Sequence, residues 1–312
     1  MREAPLVSIL INNYNYGRYI GEAIDSALAQ TYKNREVVVV DDGSTDNSAD
    51  VIASYGDRIR LVAKENGGQS SAFNAGFQAS RGQLICFLDS DDVFEPHKVD
   101  RVVEIFSNDS EIGWCFDRAR HFDDTTKQWY PWTPNTHDGK LDARSTVANG
   151  HAPYVFTSTS GLSFRREALG QILPMPESLR IKSGISSDNY LKFAAYSICS
   201  GWLVSEALTL QRIHRDNAYT RRVSGKARII GLSDILLGMC LSREFRILQH
   251  LGTKIFAHGL GKLWATGGLE LEYRQIAGTF LKSLSPQLRA EAILRAIWWG
   301  ASERFRRQSW DY

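Results

Sequence analysis

Asp89, Asp91 and Asp92 follow directly on the apolar run Leu84–Leu88 in the stretch LICFLDSDDVF. The run reads as a buried strand, so three carboxylates are crowded at its exit. Alternate side chains of an extended backbone point the same way, which predicts Asp89 and Asp91 on one side and Asp92 on the other. Two carboxylates ~5 Å apart repel by roughly 3 kcal/mol at an effective dielectric near 20. A proton, an arginine or a divalent cation would each offset that. Hard carboxylate oxygens suit Mg²⁺ or Mn²⁺, ions that keep coordination positions open for a substrate's phosphates. The plainer alternative is that Asp91 or Asp92 caps a helix opening near Pro96.

A second acidic cluster, DDGSTD at 41–46, follows the β-branched run EVVVV. Turn formation accounts for Gly43, Ser44 and Asp46, with Asp46 as a helix cap. It does not require Asp41 and Asp42 together, and a carboxylate there could accept the imide N–H of a uracil or thymine. In KENGGQSSAFNAG, paired glycines precede a helix, where a backbone can approach phosphate or ribose. Gln69, at that helix start, joins the candidate donor contacts. The spacing of a dinucleotide fingerprint is absent. GLGK at 259–262 lacks the upstream glycine and the following Ser or Thr of a P-loop, and is rejected as one.

The elements that must position these residues alternate from 6 to about 107. Strands are expected at 6–11, 36–40, 59–63 and 84–88, with amphipathic helices between them. Near-continuous apolar strands alternating with helices imply an α/β fold, a mostly parallel sheet covered on both faces. Ligands collect at the carboxyl ends of such strands. The clusters NNYN (12–15), DDGSTD and DSDD should therefore meet along one rim. Residues 110–220 are less regular, with strands at 114–122 and near 157–163, an aromatic loop holding Trp129, Tyr130 and Trp132, and a helix across 186–201. Beyond about 224 the pattern is wholly helical. The division expected is a catalytic domain, 1–224, and a helical C-terminal region, 225–312.

Bulk composition narrows the classes. With 312 residues, 43% hydrophobic and 23% charged, the chain is an ordinary globular protein. A net charge of +2 argues against a nucleic-acid binder. The four cysteines, Cys86, Cys115, Cys199 and Cys240, are widely spaced and suit a reducing cytoplasm as inert buried thiols. Neither a signal peptide nor a membrane-spanning run is read.

The ordered set VSILINNYN, EVVVVDDGSTD, ENGGQSSAFNAG, RGQLICFLDSDD and GLSFRREAL resembles the family 2 inverting glycosyltransferases of GT-A fold. The resemblance covers roughly residues 6–217. It implies a Rossmann-like nucleotide-diphospho-sugar transferase that moves a sugar, most readily from a UDP donor, to an acceptor hydroxyl in surface-glycan synthesis. Positions matching the family's base contacts are Asn12, where the family usually has Pro or Thr, Tyr14 and Asp42. Asp91 matches the ligand of the Mn²⁺ or Mg²⁺ that bridges the donor diphosphate, and Asp89 lies nearer the ribose. Asp188 in SSDNYL matches the general base, with Ser187 in place of the customary Glu. His214 matches a late histidine that touches metal or diphosphate, and Arg212 and Arg215 are neighbours suited to phosphate charge.

Two other classes are carried beside this one: a sugar-nucleotide-forming nucleotidyltransferase, and a non-catalytic glycan- or nucleotide-sugar-binding relative. A glycan or lipid-linked glycan is the acceptor the resemblance implies. Ala290, Ile293, Leu294, Ile297, Trp298, Ala301 and Phe305 recur at helical spacing beside Arg295, Arg304, Arg306 and Arg307. Such a helix suits peripheral contact with the inner face of a membrane, packing on the catalytic domain, or a homodimer contact.

Overall fold

The computed structural model describes residues 4–130, 138–153, 157–177, 187–214 and 226–308. Trp132 and Arg215 lie outside them. Two compact units result: Met1–Asp142 with Tyr154–Arg180 and Ile198–Thr220, and Ala143–Pro153 with Ile181–Ser197 and Arg221–Tyr312. Segments 143–153 and 181–197 group with the helical unit.

The first unit is built on one sheet. Strand β1 (Val7–Asn13) lies between β2 (Arg35–Asp41) and β4 (Leu84–Asp89), parallel to both, and β3 (Arg60–Ala63) extends the sheet beyond β2. On the other side β9 (Leu162–Arg165) runs antiparallel to β4 and to β6 (Trp114–Asp123). Strand β10 (Gly201–Ile213) is parallel to β6. Since β9 opposes both neighbours, β4, β6 and β10 run the same way as β1 and β2. The polar ends of all five therefore open on one rim. Short β5 (Val93–Phe94), β7 (Gln128–Trp129) and β8 (Gly139–Leu141) are antiparallel additions to β10, β6 and β10.

Alternation along β1 explains how both sheet faces are filled. Val7, Ile9 and Ile11 join one core with α1 (Ile20–Leu28), α2 (Ser48–Ala53) and α4 (Lys98–Asn108). Leu10 faces the other way, against α3 (Gln69–Ala79), where Gly76 approaches Leu10 and Val40 and Phe73 packs 4.8 Å from Phe87. The short α6 (Arg166–Leu169) follows β9. Helix α4 begins at Lys98, after β5, and receives no side-chain cap, so neither Asp91 nor Asp92 serves as one.

The second unit is helical: α5 (Arg144–Ala148), α7 (Ser187–Ile198), α8 (Lys226–Glu244), α9 (Gln249–Ala265), α10 (Leu271–Ser283) and α11 (Pro286–Gln308). Glycine contacts set its helix spacing. A Cβ on Gly259 would lie 2.5 Å from the Gly231 carbonyl, and one on Gly238 2.4 Å from that of Gly252. These two pairs mark α8 and α9 as antiparallel. A Cβ on Gly261 would lie 2.7 Å from the Ala296 carbonyl of α11. Both glycines of GLGK are thus needed for helix packing. Among the described residues no helix is long and apolar enough to cross a membrane.

Replacing Gly259 with Ala should force α8 and α9 apart and cost about 1–3 kcal/mol, as overpacking does. Urea unfolding of the full chain checks this; an unchanged midpoint would mean the helix pair yields freely.

Candidate functional site

Each of the three carboxylates at the end of β4 has its own partners. The chain turns at Ser90–Asp91, with the Asp92 N–H donating to the Asp89 carbonyl at 3.1 Å. Extended alternation therefore ends at Asp89, and the expected shared face of Asp89 and Asp91 gives way to three directions. Asp89 Oδ1 accepts from Asn12 Nδ2 (3.0 Å) and Gln69 Nε2 (3.3 Å). Register makes the first bond local, because Asn12 sits beside Asp89 across the β1–β4 ladder. Asp91 Oδ2 lies 3.1 Å from His214 Nε2, and both residues are buried. Asp92 turns inward, accepting from the Ser160 hydroxyl (2.6 Å) and the Arg212 backbone N–H (3.1 Å). Burial, then the charges of Asp91 and Asp89, push the Asp92 carboxyl well above its ordinary range.

His214 follows the last residue of β10 and is enclosed by two tyrosines. Tyr19 lies 4.6 Å and Tyr16 5.6 Å from its ring, centroid to centroid. Arg212 stacks on Tyr19 (5.1 Å), donates from Nε to the Asp91 carbonyl (3.3 Å), and pairs with Glu22 at 2.5 Å and Asp124 at 3.5 Å. It braces the site through the Asp91 backbone.

The fit of a cation rests on the Asp91–His214 separation. The two side chains stand at hydrogen-bond distance, 3.1 Å, a spacing that two neighbouring ligands of one ion bound at about 2.1 Å also span. Among the described residues no group of three or more His, Cys, Asp or Glu forms a complete cage. An oxygen and an imidazole nitrogen with the remaining positions open suit a divalent ion shared with phosphates.

Asp41 and Asp42 have different work. Asp41 Oδ1 accepts from Asn13 Nδ2 (2.9 Å) and Ser44 Oγ (2.5 Å), closing the turn that Gly43 makes at φ +75°. Asp42 grips the glycine loop, accepting from Lys64 Nζ (2.6 Å), Gly67 N–H (2.8 Å) and Gly68 N–H (2.7 Å). Asp46 accepts from the N–H groups of Gly17 (2.8 Å) and Ser48 (3.0 Å), tying two loops together. Asn12, Gln69 and Asp89 thus form one contact set, and Asp91 with His214 another. Tyr14 is 46% exposed on the same β1 loop. Asp188 belongs to the second unit, buried in the first turn of α7 with an ion pair to Lys192 at 2.8 Å.

Sequence reasoning missed the buried support beneath the rim. Lys98 and Asp117 are both wholly buried and pair at 2.5 Å. Lys98 Nζ also donates to the Ser160 carbonyl (2.6 Å) and Thr209 Oγ1 (3.0 Å). Ser160 Oγ in turn accepts the Asp89 N–H at 3.0 Å. One ammonium therefore anchors the turn that holds Asp89 and Asp92. Its signal in the sequence was a lysine in line with Val102 and Ile105, on the apolar face of α4.

Known proteins resemble this chain in sequence and in fold. Residues 8–173 match the family model described as glycosyl transferase family 2. An uncharacterized glycosyltransferase from Nostoc sp. is 37% identical over 224 residues, 70% of this chain and 68% of that protein. The hyaluronan synthase of Pasteurella multocida is 41% identical over 124 residues, 39% of this chain but 13% of that protein. The structure of S. aureus TarS 1-349 in complex with UDP-GlcNAc matches with a TM-score of 0.65 at 15% identity, covering 97% of this chain and 91% of that one. At that identity the likeness concerns the fold.

Lys98→Met should destabilise the protein by about 3–5 kcal/mol at pH 7, because it strands the Asp117 carboxylate. Burial already holds the Asp117 carboxyl above its ordinary range, and loss of the ammonium raises it further. A raised acid binds its proton more tightly when folded, so the variant should regain stability as pH falls from 7 towards the unfolded value near 4. Urea unfolding at pH 7 and pH 5 tests this; an equal loss at both would remove the charge argument.

Proposed function

The chain belongs to glycosyl transferase family 2, and from that premise we propose that it transfers a sugar from a UDP-linked donor to an acceptor hydroxyl with inversion. The observation that carries this reading is the approach of Asp91 to His214 at the rim where Asn12, Gln69 and Asp89 converge. The uridine donor follows the likeness to TarS, which binds UDP-GlcNAc. The hyaluronan synthase relative supports a product in polysaccharide synthesis. Family membership sets the nucleotidyltransferase reading aside.

In this mechanism Asp91 and His214 would hold Mg²⁺ or Mn²⁺, which would supply positive charge to the departing nucleotide. Asp89 and Gln69 orient the donor's ribose, while Asn12, Tyr14 and Asp42 form the base site. Asp188 takes the proton of the acceptor hydroxyl. The acceptor oxygen then bonds to the anomeric carbon from the face opposite the diphosphate, and the bond from that carbon to the phosphate oxygen breaks. Lys192, one helical turn on, fixes the direction of the Asp188 carboxylate.

The same proposal extends to location: peripheral attachment to the inner face of a membrane. Ile293, Leu294, Ile297 and Trp298 of α11 are exposed, while Ala292 and Gly300 form its buried side. Residues 226–312 hold 13 Lys or Arg against 7 Asp or Glu, a charge bias suited to anionic lipid.

Calorimetric titration of UDP with Mn²⁺ should give binding that chelator or Asp91→Ala abolishes. Asp188→Asn should leave that binding intact and lower turnover by about 10²–10⁴-fold. Unchanged turnover in Asp188→Asn would remove the base and leave Asp188 a structural residue of the first turn of α7. For the membrane surface, the full chain should float with phosphatidylglycerol vesicles and not with phosphatidylcholine ones, and Ile297→Ser with Trp298→Ser should sediment. Equal flotation of both proteins, or a dimer that the variant dissociates without any vesicle binding, would reassign that face.

A further inference from the structure

The helical unit contains a cavity of about 420 Å³, open on one side and lined wholly by its own residues. Trp264 of α9 forms one wall and Ile293, Ala296 and Ile297 of α11 another, with Leu269 and Arg274 completing the lining where α10 begins. That volume falls in the range of small-ligand sites, about 300–1,000 Å³. The walls are held from behind. A Cβ on Gly300 would run into the Trp264 ring, so the indole lies over bare backbone of α11. The turn from α9 to α10 is fastened by Arg228, which donates to the Gly268 carbonyl (3.0 Å) and pairs with Glu270 (2.8 Å). Fixed apolar walls favour an apolar occupant over water.

Arg274 is the charged member of this lining. Its Nε donates to the Leu269 carbonyl at 2.7 Å, which fixes the guanidinium at the cavity. Glu270, four residues earlier, is the carboxylate that a helical arginine would ordinarily meet, and Arg228 engages it instead. Among the described residues no carboxylate pairs with Arg274. An apolar slot with one such cation is complementary to an amphiphilic anion. The occupant must also account for the surface outside the slot. Leu294 and Trp298 follow two lining residues in α11 and are 67% and 61% exposed. A small ligand inside the cavity would leave them in water, whereas a lipid surface covers them.

We propose that the cavity takes one acyl chain of an anionic phospholipid, with the lipid phosphate on Arg274. The apolar lining receives the hydrocarbon, and the guanidinium offers the phosphate paired, charge-assisted hydrogen bonds. Leu294 and Trp298 lie against the neighbouring lipid chains. The surplus of Lys and Arg over Asp and Glu in residues 226–312 favours the same sign of headgroup. This rests on the membrane-surface reading given above and deepens it, from contact with a surface to a site for one lipid.

The test titrates the full chain calorimetrically with dioctanoyl-phosphatidylglycerol, kept below its micelle concentration so that no bilayer is present. One lipid should bind per chain, and the phosphatidylcholine counterpart should bind about tenfold more weakly. Arg274→Gln should weaken phosphatidylglycerol binding by about tenfold and erase the preference between headgroups. Ala296→Phe, which puts a ring into the slot, should abolish binding of both lipids; if its helical circular dichroism departs from that of the intact protein, Arg274→Gln decides. No binding by the intact protein, or binding that neither variant alters, overturns the site. So does a lipid-free dimer that Ala296→Phe dissociates, since a second copy would then cover the face. Flotation with phosphatidylglycerol vesicles but no binding of the soluble lipid overturns the site and keeps the surface reading. Binding of the soluble lipid without flotation keeps the site and removes the surface attachment.

Discussion

Three carboxylates at the end of one buried strand have to be kept apart, and most of the rim is arranged around that constraint. The turn at Ser90–Asp91 sends Asp89, Asp91 and Asp92 to separate partners: two side-chain amides, an imidazole, and a hydroxyl with a backbone N–H. Each partner comes from a different part of the sheet. Asn12 arrives on β1, Gln69 from the helix after the glycine loop, Ser160 from the turn before β9, and Arg212 and His214 from the end of β10. Charge separation and sheet topology are therefore one problem with one solution.

Burying the Lys98–Asp117 pair is an unusual way to support such a site. Desolvating two charges costs several kcal/mol, and a well-packed apolar pair would often be as stable. What the pair provides is direction. The ammonium places donors on Asp117, Thr209 and the Ser160 carbonyl together, which joins β6, β10 and the turn before β9 at one point beneath Asp89 and Asp92. Apolar packing would fill that space without fixing the orientation of the Ser160 hydroxyl.

The two units are held by different physics. The first relies on continuous β-branched strands covered on both faces. The second relies on close helix approach at glycines, so that Gly231, Gly238, Gly252, Gly259 and Gly261 substitute for the larger side chains that would otherwise set helix spacing. Free and buried Cys86 and Cys115 act as small apolar residues in the first unit, and burial pushes the Cys86 thiol up to about 11.

The sequence alone determined the main strand–helix alternation up to about residue 107, the rim on which the polar clusters meet, and the family. Those follow from local pattern: apolar runs ending in aspartates, glycines before a helix, and the periodicity of the C-terminal helices. Asn12 meets Asp89 only because β1 lies beside β4 in the sheet. The partner of Asp91 and the burial of Lys98 were decided by tertiary structure, as was the outward face of Ile293, Leu294, Ile297 and Trp298. Each depends on residues far apart in the chain: Asp91 and His214 meet only because β10 returns parallel to β6. Periodicity marked α11 as amphipathic, but which side of it is buried depends on where Gly261 lets α9 approach. A one-dimensional pattern records which residues are apolar or charged; which of them meet is set by closure of the sheet and packing of the helices.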